Sequence, residues 1–456
     1  MASIQSLLIS VTLLTALAID TAQAAPEELK AGVASRVVNP TKPASIIGHR
    51  CMKLFDKAYA DLRVDALVVE DGQGKRLAWL GCDFCLIPHA VVDRIKQLIQ
   101  KQHGIDPAAI CINASHTHSA PPLSEAEAAL PEHWDAQYAE FVVNQAVAAV
   151  GDAVGKLAPA RLRYVEDTCK VGINRRVGEP GHVSMRPNPK GVVDHRAQVV
   201  VVESADGKQL RGMAVKYACH PVTTGGIGLG SDYPGFMRKM VEQQHPGAVV
   251  VFLQGCGANV RIRVVNDDMT GWVRGTIETA KGFGRELADA VERALKKSGR
   301  PIAGPIAAEC VEIKLPIDVQ PAEKYQEAAA RSDAFSGNWG KRFAGMNARG
   351  EKIPDRWPYR IQAFRLGEGK SPFTVVTLDG EVFTEYALNL GRALSPATVM
   401  VLGYSNGVVT YLPTAKAIHD GGYEPNAYTY FGVPGPYKPE VEKLVLDKAA
   451  ELARPK

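Results

Sequence analysis

Short apolar runs that stop at ionisable residues constrain this chain more than any other feature. "AAICINA" (108–114) leads into His116 and His118, "GMAVKYAC" (212–219) into His220 and Pro221, and "FTVVTL" (373–378) into Asp379, Gly380 and Glu381. A fourth run, "AVVVFLQGCG", ends in glycines. Runs of this length bounded by turn residues read as buried strands, and polar groups at strand ends are where a scaffold places a site. Helical patterns lie between them. "PHAVVDRIKQLIQKQHG" puts Val91, Val92, Ile95, Leu98 and Ile99 on one face before Gly104 stops it. "AQYAEFVVNQAVAAV", "SDYPGFMRKMVEQQ" and a stretch from about Thr270 to Lys297 repeat the pattern. "VDALVVED" and "RLAWLGCDF" flank the turn "GQGK" and predict a hairpin, as does "YRIQAFRLGEGKSPFTVVTLDGE". Strands alternating with helices predict a mixed α/β fold. Beyond residue 300 the chain turns proline-rich and then polar, which predicts a first lobe over 25–300 and a smaller second lobe over 301–456 packed back on it.

Residues 1–24 read as a secretory signal peptide. "LLISVTLLTALAI" is an apolar run of 13 residues, and Ala22-Gln23-Ala24 offers a small-x-small cleavage pattern, although "MASIQS" has no Lys or Arg. The run falls short of the roughly 20 residues a membrane-spanning helix needs, and no later stretch reaches that length. The expectation is therefore no transmembrane segment and a periplasmic or secreted product. Net charge is +4, with no Lys/Arg cluster interleaved with aromatics, so no nucleic-acid partner is expected. Eight cysteines are too sparse for a disulfide-stapled scaffold. Cys82 and Cys85 sit in the apolar run "LAWLGCDFCLIP", which favours buried structural thiols over a zinc or redox pair.

In an extended segment His116 and His118 project from one face. With His220 and Glu381 they are ligand types that suit zinc, whose catalytic sites keep a position open for water. The pair also fits a general base with its helper, or two histidines on one side of a loop. A rival lies in "VMVLGYSNGVV", where Gly403-Tyr404-Ser405-Asn406-Gly407 matches the Gly-x-Ser-x-Gly of a nucleophile elbow. That elbow needs a helix directly after the serine, whereas "VVTYLP" is β-like. Only His419 and Asp420 could complete a triad, and adjacent residues of an extended stretch face opposite ways. "TTGGIGLGSDYPG" precedes a helix and either holds an anion at its N-terminus or forms an active-site loop. It lacks the spacing of a phosphate-binding or dinucleotide loop.

Seven stretches in order, "NASHTHSAP", "GINRR", "ACHPVTT", "SDYPG", "LQGCGANV", "LDGEVFTE" and "SNGVVTYLPT", resemble the neutral/alkaline (non-lysosomal) ceramidase family from about residue 31 to about 430. The resemblance implies a ceramidase-like α/β catalytic domain over 25–456, in a short form without the C-terminal immunoglobulin-like domain of longer members. It implies one zinc per chain on His116, His220, Glu381 and Tyr411, with Tyr404 as the alternative tyrosine. It further implies His118, Tyr411 and Arg175 as catalytic residues acting on a linear amide of an N-acyl amine or ceramide-like, lipid-like substrate. One stretch departs. The family's Gly-Asp-Val-Ser-Pro-Asn falls on Ala258 to Arg263, where Asn259 replaces the aspartate and Arg261 the serine. Asn259, Arg261 and Arg263 thus become the expected substrate-binding residues, and the two arginines fit a carboxylate or sulfate near the scissile bond. The alternative is a surface strand with outward arginines. A zinc esterase or lactonase, or a binding relative without catalysis, fits the same scaffold, and the oligomeric state is not legible.

Overall fold

The computed structural model describes residues 29–48, 53–128, 133–332, 335–369, 371–408 and 410–455; the expected signal peptide lies outside them. Valine-rich runs buried on both faces, such as Arg196–Ser204, build a nine-stranded mixed sheet. Its order is Val249–Gln254, Leu210–Tyr217, Arg196–Ser204, Ala158–Thr168, Leu29–Val37, Arg63–Glu70, Arg76–Cys82 and Ile110–Ala114, with the short Arg300–Ile302 beside Ala158–Thr168. The sheet curls until its two ends meet. A Cβ on Gly81 would lie 2.2 Å from the Phe252 carbonyl oxygen, so only glycine allows that approach. Helix Ala136–Gly155 covers Leu29–Val37 and Arg63–Glu70, while Asp232–Gln244 and Ile277–Leu295 pack together on the other side.

A second sheet of four strands runs Ile306–Pro316, Arg356–Leu366, Phe373–Leu378, Thr398–Leu402. Its Phe364, Phe373, Val375 and Met400 join the same buried cluster as Trp79, Ile110 and Ile112 of the first sheet. Trp79 and Phe364 meet edge to face at 5.9 Å. No helix of the described residues is long and apolar enough to cross a membrane. The architecture is the mixed α/β fold that the alternating pattern predicts. Both predicted hairpins form, and the helix ending at Gly104 spans His89–His103 with Gly104 in the left-handed region. The helix expected from about Thr270 instead spans Ile277–Leu295, because Thr276 and Thr279 form a capping box that starts it there.

Three parallel strand pairs set up the site, each joined by a crossover helix. They are Arg76–Cys82 with Ile110–Ala114, Leu210–Tyr217 with Val249–Gln254, and Phe373–Leu378 with Thr398–Leu402. Ligand sites in such units form beyond the carboxyl ends of the strands. Here one side chain fastens three of those ends. Asn113 donates through Nδ2 to the carbonyls of Gln254 (3.1 Å) and Gly403 (2.8 Å), and its Oδ1 accepts from Gln254 N at 2.7 Å. Asn113 is fully buried, so Asn113→Ala strands the Gln254 N–H and carbonyl away from water, while the Gly403 carbonyl keeps the Ser405 hydroxyl. The expected loss is about 3 kcal/mol in equilibrium chemical denaturation, and a loss below about 1 kcal/mol would show the clasp to be dispensable.

Candidate metal centre

Past Ala114 the chain leaves the strand. His116 takes a positive φ of 65°, an uncommon conformation for any residue but glycine, and its N–H bonds to the Phe84 carbonyl at 2.9 Å. The two histidines therefore do not meet through strand alternation, as the extended reading expects. They meet because this turn swings the His116 ring back, leaving its Nε2 3.2 Å from His118 Nε2 with the rings perpendicular. His116 Nδ1 lies 2.8 Å from the Cys85 carbonyl oxygen. His220 Nδ1 lies 2.9 Å from that of Gly257 and 3.1 Å from that of Val260. A carbonyl only accepts, so each Nδ1 carries a proton and each Nε2 is the ring nitrogen turned toward the other ligand candidates.

Those two Nε2 atoms converge on one oxygen. Glu381 Oε2 lies 3.3 Å from His116 Nε2 and 3.1 Å from His220 Nε2. All three residues are at most 3% exposed. Burial alone would raise the Glu381 carboxyl, but His116 and His220 overcome it and hold it well below the usual carboxylate range. Burial, with Arg175 nearby, pushes His220 down to about 3. Burial also works against charge on His116, yet Cys85 and Glu381 raise it to about 10. The result is an anionic carboxylate, one neutral imidazole and one that carries the balancing proton. Imidazole nitrogens and a carboxylate oxygen in this arrangement fit a divalent cation, which would take the place of that proton. Cys85, His116 and His118 form a second candidate cluster. Its donors fit less well, because His116 Nδ1 faces the Cys85 carbonyl and burial pushes the Cys85 thiol up.

Two tyrosines flank the three residues. Tyr411 stands directly opposite Glu381 in a two-residue parallel bridge, Glu381–Val382 with Tyr411–Leu412. Its hydroxyl accepts from Arg175 Nη2 at 3.2 Å, and Arg175 Nε donates to Glu424 Oε1 at 3.0 Å. Burial and Glu381 raise the Tyr411 phenol well above its ordinary value, so it is protonated. Tyr404, with a positive φ of 51°, lays its ring 4.5 Å from that of His116, and its buried hydroxyl has no hydrogen-bond partner among the described residues. Strained backbone at both His116 and Tyr404 is the kind of local cost that collects at functional sites.

The structure thus brings His116, His118, His220, Glu381, Tyr411 and Arg175 together. It separates the three expected substrate-binding residues. Asn259 uses both ends of its amide inside the fold, accepting from Thr384 N and donating to Glu385. Arg263 turns outward to the Lys170 carbonyl and Glu286. Arg261 lies next to His220 in a parallel bridge. Ser405 is buried, donates to the Gly403 carbonyl and accepts from Asn113, with no helix following it directly. The helix after the glycine-rich loop already has a carboxyl group at its start, because Asp232 accepts from Thr223 and Tyr233 there. Glu424, which anchors Arg175, lies outside every motif singled out in the sequence, and Asn113 opens "NASHTHSAP" without being marked there as a functional residue.

Fold and site together define a curled mixed α/β scaffold with a buried histidine–carboxylate centre at converging strand ends. That scaffold is the neutral ceramidase fold. The chain is similar to neutral ceramidase from Pseudomonas aeruginosa, with a TM-score of 0.71 and 16% identity over 94% of this chain and 74% of that one. It is similar as well to a ceramidase complexed with C2, with a TM-score of 0.73 and 16% identity over 94% of this chain and 75% of that one. No protein-family model matches the chain, and no curated protein matches it in sequence.

Proposed function

We propose that this protein is a zinc-dependent hydrolase of linear amides, acting on N-acyl amines or ceramide-like substrates outside the cytoplasm. The observation that carries the reading is the convergence of His116 Nε2 and His220 Nε2 on Glu381 Oε2, each imidazole held by a backbone carbonyl on its far side. The ceramidase fold supports the amide as the bond cleaved. His116, His220 and Glu381 would hold the metal, with Tyr411 as the fourth ligand. Zinc there would supply a Lewis acid that polarises an amide carbonyl and lowers the pKa of a water from about 15.7 to about 7.

The chain's own residues do the rest. Arg175 stays charged, because Tyr411, Glu424 and Glu381 outweigh the burial that would discharge it. It holds the Tyr411 hydroxyl in place and puts positive charge beside the carbonyl, where an oxyanion would develop. His118, more exposed than His116, is placed to move a proton to the departing amine.

Purified protein assayed on ceramide and N-acyl amines should lose turnover on dialysis against a chelator and regain it with zinc. Ser405→Ala should keep turnover within about threefold of wild type, since that hydroxyl is locked between Gly403 and Asn113. Activity that survives chelation and disappears in Ser405→Ala would reverse the assignment.

A further inference from the structure

Two arginines share one face of the small sheet beside the site. Strand Val260–Ile262 runs antiparallel to Gly172–Val177, with Arg261 opposite Ile173. Arg175 is two residues on from Ile173, so it and Arg261 stand on the same face in diagonal register, with Cβ atoms about 7 Å apart. Their circumstances differ. Arg175 is paired with Glu424 and Tyr411. Among the described residues Arg261 has no carboxylate partner, and its buried Nε has no hydrogen bond. Its guanidinium lies 4.7 Å from the Trp272 ring centroid, and Trp272 is itself tied down by its Nε1–H to the Met185 carbonyl at 3.1 Å. Burial and the neighbouring Arg175 lower the Arg261 guanidinium to about 10, which still leaves it charged at neutral pH.

A desolvated guanidinium stacked on indole, beside a second cation and without an acid, keeps N–H donors that suit a planar oxyanion. The backbone of Arg261 bridges that of His220, a residue of the candidate metal centre. Arg263, turned away to Glu286, takes no part. We propose that Arg261 is the specificity-determining residue of the site and that it binds a carboxylate lying close to the scissile amide. The substrate class is then N-acyl amino acids. The inference rests on the amide-hydrolase reading above and narrows it.

The test compares N-dodecanoylglycine with its uncharged primary amide, N-dodecanoylglycinamide, on zinc-loaded wild type, Arg261→Met and Arg261→Lys. Methionine keeps an apolar stem against Trp272 and removes the charge. Wild type should favour the carboxylate in kcat/KM. That preference should fall about 10- to 150-fold in Arg261→Met, the range of a charge-assisted hydrogen bond, with partial recovery in Arg261→Lys. A preference within threefold of wild type in Arg261→Met would overturn the proposal, because a carboxylate held by the metal instead would keep its advantage there. If wild type cleaves neither compound, the amide-hydrolase reading falls, and calorimetric binding of the same pair decides for Arg261. Tighter binding of the carboxylate that is lost in Arg261→Met sustains the anion site, and equal binding in both proteins removes it.

Discussion

Replacing His220 by alanine should abolish amide hydrolysis, lowering kcat by at least about 10³-fold, because the metal's contribution to transition-state charge is worth several kcal/mol. His220 supplies one of three convergent donors. His118 Nε2 faces His116 Nε2 and is not part of the cluster with Glu381. The variant removes the imidazole contact to the Gly257 and Val260 carbonyls, which keep only their backbone donors, so circular dichroism and a denaturation midpoint must accompany the kinetics. His118→Ala separates metal retention from proton transfer. It should keep the metal and lose about 10²-fold in kcat. A His220→Ala protein that folds and turns over within tenfold of wild type would show that the histidine is structural.

Arg175→Ala should be nearly as damaging, by another route. The guanidinium is buried between Glu424 and the Tyr411 hydroxyl, and its loss takes the charged donor from Tyr411 and leaves Glu424 paired with Arg176. Breaking a buried pair of this kind costs about 3–5 kcal/mol of stability, and removing a preorganised donor beside a developing oxyanion costs about 10²- to 10³-fold in kcat. Arg175→Lys keeps the charge without the two-pronged geometry and should recover part of kcat. Glu424→Gln provides the contrast. It should lower stability comparably while reducing kcat less than Arg175→Ala does. If kcat of Arg175→Ala stays within threefold of wild type, the residue only braces the fold.

Much of the site was legible because each ligand candidate directly follows an apolar run, and strand ends can be read from composition. His116, His220 and Glu381 stand out in this way, and the order of the surrounding stretches already pointed to the ceramidase fold. What brings them together was not legible. Asn113 reads as an ordinary polar residue at the end of "AAICINA", yet it fastens the strand ends bearing Gln254 and Gly403. A side chain's partners 141 and 290 residues away leave no local trace. The turn at His116 was missed for a related reason, since a positive φ in a non-glycine residue is imposed by packing rather than by propensity. The departure from the family's stretch suggested that Arg261 and Arg263 act together, but the strand ends at Ile262 and Arg263 is drawn off by Glu286 on the following helix. Glu424 lies in a short helix, Tyr423–Asn426, and nothing in "GGYEPN" announces an arginine partner.

The central claim is that His116, His220 and Glu381 hold one metal ion. Elemental mass spectrometry on wild type and His220→Ala, purified side by side without chelator, tests it most directly. About one zinc per chain is expected in the wild type and a small fraction of that in the variant. Equal metal in both proteins, or none in a wild type that still hydrolyses amides, would contradict it.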